Sequence, residues 1–411
     1  MAGNGLHFAG LNRIDDRGQA ILRFLELPHR GVRRYHGSSL LFSLVGQSSQ
    51  IFEMTTMTLA ILIEPLDLLF CRDGRPIVAG EGAAAGTALP GPQVLAGAIR
   101  TALLRQRGQL PTDGSRPAQA HLDAVLQVRL RGPLLADLAR GQPLIPMPAD
   151  LAGDKAKHGL CGTPQARLRP QSGVPGWQAP ADAPQALPLW PAPERASKAS
   201  TPNDRARPAE LAAQSGFLTW DGFQAWAAGR LPNSDQVRSA ETLWAVEART
   251  NVSLDAATAV AAEGQLFTSR YLRLAPGVGL YAEVDGADDL PATLLLGGDR
   301  RQVTVRRLPK PVAWPTQGRV ALALTPTILP QDRCPAEWQP HCRGLAIPGA
   351  DPVSGWDLAA NGGAGAPRPT RWAIRPGAVW HLDSPIAFTS IGVETASGFG
   401  WIAVGTGPTD Q

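Results

Sequence analysis

From about residue 241 to its end, the chain places apolar residues at every second position in short runs broken by Gly, Asp and Pro. That period commits the second half to β-strands. Strands are predicted at 246–254, 265–274, 279–284, 302–308, 320–324, 378–382 and 401–404. The first half reads differently. Leu59, Ile61 and Ile63 alternate with Ala60, Leu62 and Glu64, and Pro65 and the pair Asp73-Gly74 close the run, as in a buried strand followed by a turn. A helix follows: Pro92 suits a first helical position, Leu95, Ile99 and Leu103 recur every four residues, and Gly108 stands where a C-terminal cap belongs. Strand, Gly- and Pro-rich loop and amphipathic helix together make the opening of a ferredoxin-like or RRM-like unit.

Ten prolines between Pro164 and Pro208 predict an irregular surface insertion at about 162–210. Beyond it, Phe223 and Trp226 lie one turn apart ahead of Gly229 and mark a short helix within 217–229. Residues 1–56 are Arg-rich and aperiodic, and are expected outside the fold, as a misassigned start or as a basic arm. The expected organisation is therefore an extension at 1–56, a first domain at 57–240 and a second at 241–411.

Apolar residues are 44% of the 411 and charged residues 18%, which excludes global disorder and supplies a substantial core. Four cysteines in so long a chain do not make a disulfide framework, so a reducing cytoplasm is expected. The early apolar runs 40–45 and 59–63 fall far short of the roughly 20 residues a membrane span needs. Of 39 basic residues only four are Lys (Lys155, Lys157, Lys198 and Lys310). Guanidinium groups pair bidentately with phosphate and stack on bases, so this usage suits a nucleic-acid partner; a GC-rich genome accounts for it equally well.

Three groups of residues carry candidate chemistry. Gly392, Gly398 and Gly400 leave backbone N–H groups unshielded, so they can cradle a phosphate, with Phe399 and Trp401 beside them to stack on bases. The alternative is a tight turn with Trp401 in the core. Arg72 and Arg75 bracket the Asp73-Gly74 turn at the end of the first strand unit, and Arg100 lies on the exposed helix face. Arg300 and Arg301, with Arg306, Arg307 and Lys310 nearby, make a basic patch, and Arg249, Arg270 and Arg273 are further strand candidates. Gly297-Gly298-Asp299-Arg300 carries one carboxylate where a metal-binding Gly-Gly-Asp-Asp turn carries two, and Cys334, His341 and Cys342 lack a fourth ligand. No metal or other cofactor is expected.

An ordered series of short motifs resembles a known family. It begins with Ile63-Glu64-Pro65-Leu66-Asp67, Arg72-Asp73-Gly74-Arg75-Pro76 and the helix residues Leu95 to Leu104, and continues through Arg131-Gly132-Pro133 and Pro146-Met147-Pro148-Ala149-Asp150-Leu151. Later come Glu247-Ala248-Arg249, Glu263-Gly264-Gln265-Leu266-Phe267, Leu324-Thr325-Pro326, Ser354-Gly355-Trp356-Asp357 and Ser397-Gly398-Phe399-Gly400-Trp401. The chain resembles the Cmr subunit three family of RAMP proteins from type III-B CRISPR systems over most of 58–405. The resemblance implies an α+β chain of two ferredoxin-like (RRM-like) domains with irregular Pro- and Gly-rich insertions. It also implies a non-catalytic subunit that holds the 5′ tag of the crRNA beside the large polymerase-like subunit and a backbone RAMP subunit. The family start would be Met54 or Met57. A rival expectation is a metal-independent endoribonuclease that trims the guide precursor with His158 or His381, and a third is a scaffold that touches no RNA.

Overall fold

A computed structural model describes residues 58–72, 87–113, 115–154, 163–174, 177–190, 211–254, 258, 260–330, 332–357, 366–387 and 389–407. All of these fall in one compact unit, Thr55–Gln411. The expected extension at 1–56 lies outside the described residues, as do Arg75 and His158.

The elements that position the candidate site are, in chain order, β1 (Leu59–Pro65), α1 (Pro92–Gln106), α2 (Gln119–Leu126), β2 (Arg129–Asp137), β3 (Gln142–Pro143) and α3 (Trp220–Ala227). They are followed by β4 (Trp244–Leu254), β5 (Ala261–Leu274), β6 (Val278–Asp285), β7 (Thr293–Leu295) and β8 (Gln302–Arg307). The last four are β9 (Gly318–Ala323), β10 (Cys342–Ala346), β11 (Val379–Ile386) and β12 (Ile402–Gly405). The chain is thus a mixed α/β fold with few helices and many strands, and every strand pair named here is antiparallel.

A six-stranded sheet runs β7-β8-β1-β6-β2-β3, and a four-stranded sheet runs β10-β11-β9-β12. Strand β1 is central and covered on both faces. Leu59, Ile61 and Ile63 pack with Leu95, Ile99 and Leu103 of α1. Ala60 and Leu62 point the other way, into a cluster with Tyr281 of β6, Leu322 of β9, Trp226 of α3 and Trp401. The two sheets therefore share one apolar layer, with α1 on the far side of the first. Helix α1 begins at Pro92, and Gly108 at φ 65° donates its N–H to the Arg105 carbonyl beyond its end, as the sequence leads one to expect.

Two expectations about organisation change. The division at 240/241 would pass between strands of a single sheet, because β6 pairs with β1 and β2, β8 pairs with β1, and β7 pairs with β8. Ladder partners are chosen by register and buried face, and the chain returns to the first sheet after residue 274 to complete it. The stretch expected as a surface insertion at about 162–210 is anchored in its first part. Its strand Pro164–Arg167 pairs with Leu151–Asp154, Ala183 and Ala186 are fully buried in the core behind the second sheet, and Arg167 is buried in an ion pair with Asp150. Small Ala side chains and a neutralised guanidinium let a proline-rich segment pack where its composition reads as surface. Residues 191–210 lie outside the described part.

Candidate nucleic-acid interface

Strands β4 and β5 pair only with each other as a long ribbon, and the ribbon's base meets the segment that follows β1. There Leu69 and Leu272 exchange backbone hydrogen bonds of 2.8 Å. Next to them Tyr271 is buried, its ring 4.9 Å from that of Phe70. The guanidinium groups of Arg301 and Arg249 lie over the same tyrosine ring at 4.9 and 5.4 Å, and its hydroxyl donates to Asp299 at 2.9 Å.

Around this ring the charges alternate. Arg249 pairs with Glu247 at 2.8 Å, Glu247 with Arg273 at 2.8 Å, Arg273 with Asp67 at 3.7 Å, Asp67 with Arg301 at 3.5 Å and Arg301 with Asp299 at 3.7 Å. Hydrogen bonds from Arg273 and then Arg249 hold the Glu247 carboxyl below its ordinary range. Three arginines and three carboxylates cancel. Exposed pairs contribute little to stability, so the chain of pairs works chiefly by fixing orientation at the ribbon's base. Arg249 and Arg301, two sequence candidates for phosphate contact, are thereby held over the Tyr271 ring and neutralised, Arg249 while still exposed.

Other candidates are left uncompensated. Arg72, Arg270 and Arg300 are exposed and form no ion pair among the described residues. They border the same segment: Arg72 bridges to Thr87, the Thr87 hydroxyl donates to the Arg270 carbonyl at 2.8 Å, and Gly298 in the turn before Arg300 donates to the Phe70 carbonyl at 2.8 Å. Arg300 itself sits at φ 49°, inside the turn that follows Gly297. The turn presents Arg300 to solvent while Arg301 folds back onto Tyr271. Three exposed guanidinium groups thus border the ribbon's base, Arg270 on the ribbon face opposite Tyr271, where each can meet a phosphate.

The glycine-rich loop has another role from the one its composition suggests. The Gly398 N–H donates to the Thr395 carbonyl at 3.0 Å and the Gly400 N–H to the Pro326 carbonyl at 2.9 Å, so neither amide is turned to a ligand. Phe399 and Trp401 are 1% and 2% exposed, which removes them as base-stacking surfaces. Glycine is needed for close approach instead. A Cβ on Gly400, at φ 65°, would stand 1.8 Å from the Ile391 carbonyl oxygen, and one on Gly398 would stand 2.5 Å from that of Gly132. Gly392 lies exposed near the loop's tip. Arg100 is likewise a brace. Its guanidinium donates to the Ala396 carbonyl at 3.1 Å, the Val128 carbonyl at 3.0 Å and the Ser397 hydroxyl at 3.2 Å, and burial lowers its pKa.

His381, the histidine proposed for acid–base work in the rival reading, is 4% exposed, with Nε2 3.5 Å from a carboxylate oxygen of the fully buried Asp150. Asp150 also pairs with Arg167 at 2.9 Å and accepts from the Trp226 indole at 2.8 Å. Among the described residues no group of three or more His, Cys, Asp or Glu side chains could hold a metal ion, and no helix is long and apolar enough to cross a membrane. Sequence reasoning missed Tyr271 and Phe70 at the ribbon's base, though it had named Arg273 beside them. The alternation that makes Arg249, Tyr271 and Arg273 share one face of the ribbon was available as a signal.

Set beside known proteins, the chain matches the family model described as "CRISPR-associated protein (Cas_Cmr3)" over residues 61–400. The chain belongs to the Cas_Cmr3 family. Membership makes it a component of the CRISPR machinery. No curated protein matches it. Among solved structures this Cas_Cmr3 chain is similar to one in "Cryo-EM structure of the Type III-B Cmr-beta bound to cognate target RNA", at 16% identity and a TM-score of 0.42, covering 78% of this chain and 86% of that one. It is also similar to a chain in "Crystal structure of Csm3-Csm4 subcomplex in the type III-A CRISPR-Cas interference complex", at 12% identity and a TM-score of 0.36, covering 79% and 92%. A third is a chain in "Crystal structure of Csm1-Csm4 cassette in complex with cA3", at 12% identity and a TM-score of 0.32, covering 79% and 86%.

Proposed function

We propose that this chain is a non-catalytic subunit of a type III-B Cmr effector complex in the cytoplasm. In that reading it holds the 5′ tag of the crRNA and seats it beside the large polymerase-like subunit and a backbone RAMP subunit. The observation that carries this reading is the sorting of arginines at the ribbon's base. Arg249, Arg273 and Arg301 are neutralised into a platform, and Arg72, Arg270 and Arg300 are exposed beside it with no carboxylate partner among the described residues. Three guanidinium groups without a carboxylate among the described residues, on three segments joined around the ribbon's base by backbone contacts and the Thr87 hydroxyl, suit a phosphate track.

Strand order supports the ferredoxin-like reading of both sheets. In the first, β8, β1, β6 and β2 lie in the order fourth, first, third, second; in the second, β12, β9, β11 and β10 repeat it. That order belongs to a β-α-β-β-α-β unit. Only the first crossover carries its helix, α1; in the second sheet the turns Ala336–Trp338 and Thr395–Ser397 stand in the helix positions.

The test is RNA binding by the full chain over a salt series. Replacing Arg72, Arg270 and Arg300 together by Ala should weaken binding of single-stranded RNA and lower the log–log salt slope by about 2, at about 0.7 per phosphate contact. An unchanged slope overturns the reading. The burial of His381 weighs against cleavage. Substituting His158 and His381 by Ala should accordingly leave guide length in the purified complex unchanged.

A further inference from the structure

The strands Ala350–Val353 and Arg371–Ile374 form a small antiparallel ribbon of their own. It is tied to the body by paired hydrogen bonds of 3.0 and 2.8 Å between Thr327 and Ile374, and by Ala373, which is buried against Ile328 and Phe399. Strand alternation turns Trp372 to the face opposite Ala373. Trp372 is 66% exposed, the most of any large hydrophobic side chain among the described residues. Its cross-strand partner is Pro352.

The surroundings of Trp372 are cationic rather than apolar. Arg368 and Arg371 share the single carboxylate of Glu394, Arg368 at 3.9 Å, and Arg375 pairs with Asp351 at 2.6 Å. Three guanidinium groups face two carboxylates within four residues of the indole. A single exposed indole falls far short of the contiguous apolar patch of several hundred Å² that marks a protein interaction site. Stacking needs only one open ring face and cations able to follow the backbone on either side. We infer that Trp372 is a stacking platform for a base of single-stranded RNA, with the one positive charge that Glu394 and Asp351 leave uncompensated, shared by Arg368 and Arg371, beside it for an adjoining phosphate. This rests on the RNA-holding reading and adds to it a second contact, on the second sheet's side of the chain, made through an aromatic face.

The experiment is titration of fluorescein-labelled oligo(A) and oligo(U) RNA with the full-length chain over a salt series. Three variants are compared with the parent: Trp372→Ala, Trp372→Phe and the triple alanine variant of Arg72, Arg270 and Arg300. Trp372→Ala should weaken oligo(A) binding by roughly 5- to 150-fold, the range one lost base–aromatic stack carries, and leave the salt slope as it was. Trp372→Phe should retain most of the affinity, and oligo(U), whose bases stack less well, should lose less. Unchanged melting of Trp372→Ala is expected from the side chain's exposure and separates loss of contact from loss of fold. If Trp372→Ala binds within about two-fold of the parent while the triple variant is weakened, the stacking site is wrong and the RNA-holding reading stands. If neither variant is weakened, both are wrong. If Trp372→Ala keeps its RNA affinity and instead loses co-purification with another protein subunit, the indole is a protein contact and the inference is overturned.

Discussion

Asp150 shows how far a single residue's surroundings can decide its chemistry. Burial alone would push its carboxyl up; the Arg167 guanidinium, His381 and the Trp226 indole outweigh that and hold it at about 2, against 3.8 for the free group. A carboxyl whose pKa is lower folded than unfolded stabilises the fold above the unfolded value and loses that contribution as pH falls through the folded one. Denaturant melts should therefore show roughly 2 kcal/mol of stability lost between about pH 4 and pH 2 on account of this group. Asp150→Asn should cost about 3 to 5 kcal/mol at neutral pH, since it leaves Arg167 charged and buried without its partner, and should flatten that acid limb. A variant as stable as the parent would show that the pair is dispensable. Little of this is legible in the sequence. Asp150 stands in a recognisable motif, but Arg167 lies in a proline-rich stretch whose composition says surface. Phe399 and Trp401 failed in the opposite direction, because an aromatic beside glycine reads the same whether it faces a base or the core.

At the scale of elements the sequence was far more informative, because period-2 alternation is a local property. All seven predicted strands form, and the ribbon of β4 and β5 matches two of them to within a few residues at each end. What alternation does not reveal is which arginines on a strand will meet a carboxylate, since Asp67 and Asp299 reach the ribbon from distant parts of the chain. Glu247 is the hinge of that arrangement, bonded to Arg249 and Arg273 together. Glu247→Gln should leave stability almost unchanged, as is usual for exposed pairs. It also releases two guanidinium groups beside the phosphate track. Binding of single-stranded RNA should tighten at low salt, with a log–log slope steeper by up to about 1.4. Weaker binding in this variant would mean that the neutral platform itself contacts the strand.

Across the whole molecule, the two sheets are built by interleaving rather than by halves. The first sheet takes β1, β2 and β3 from before residue 240 and β6, β7 and β8 from after residue 277. Neighbouring segments in sequence usually pair, which is why a single boundary near 240 reads naturally from composition and period. The register overrides it: β6 lies between β1 and β2 and pairs with both, so the two earliest long strands do not touch each other. A fragment ending at residue 240 would present β1 and β2 with the strand between them missing and Leu62, Leu134 and Ala136 without their cover from Tyr281. Expressed alone, 57–240 should show no cooperative thermal transition, while co-expression with 241–411 should restore one by reassembling the sheet. Independent cooperative melting of 57–240 would mean that β1 and β2 can find another partner, and the interleaved order would then not be what holds this fold together.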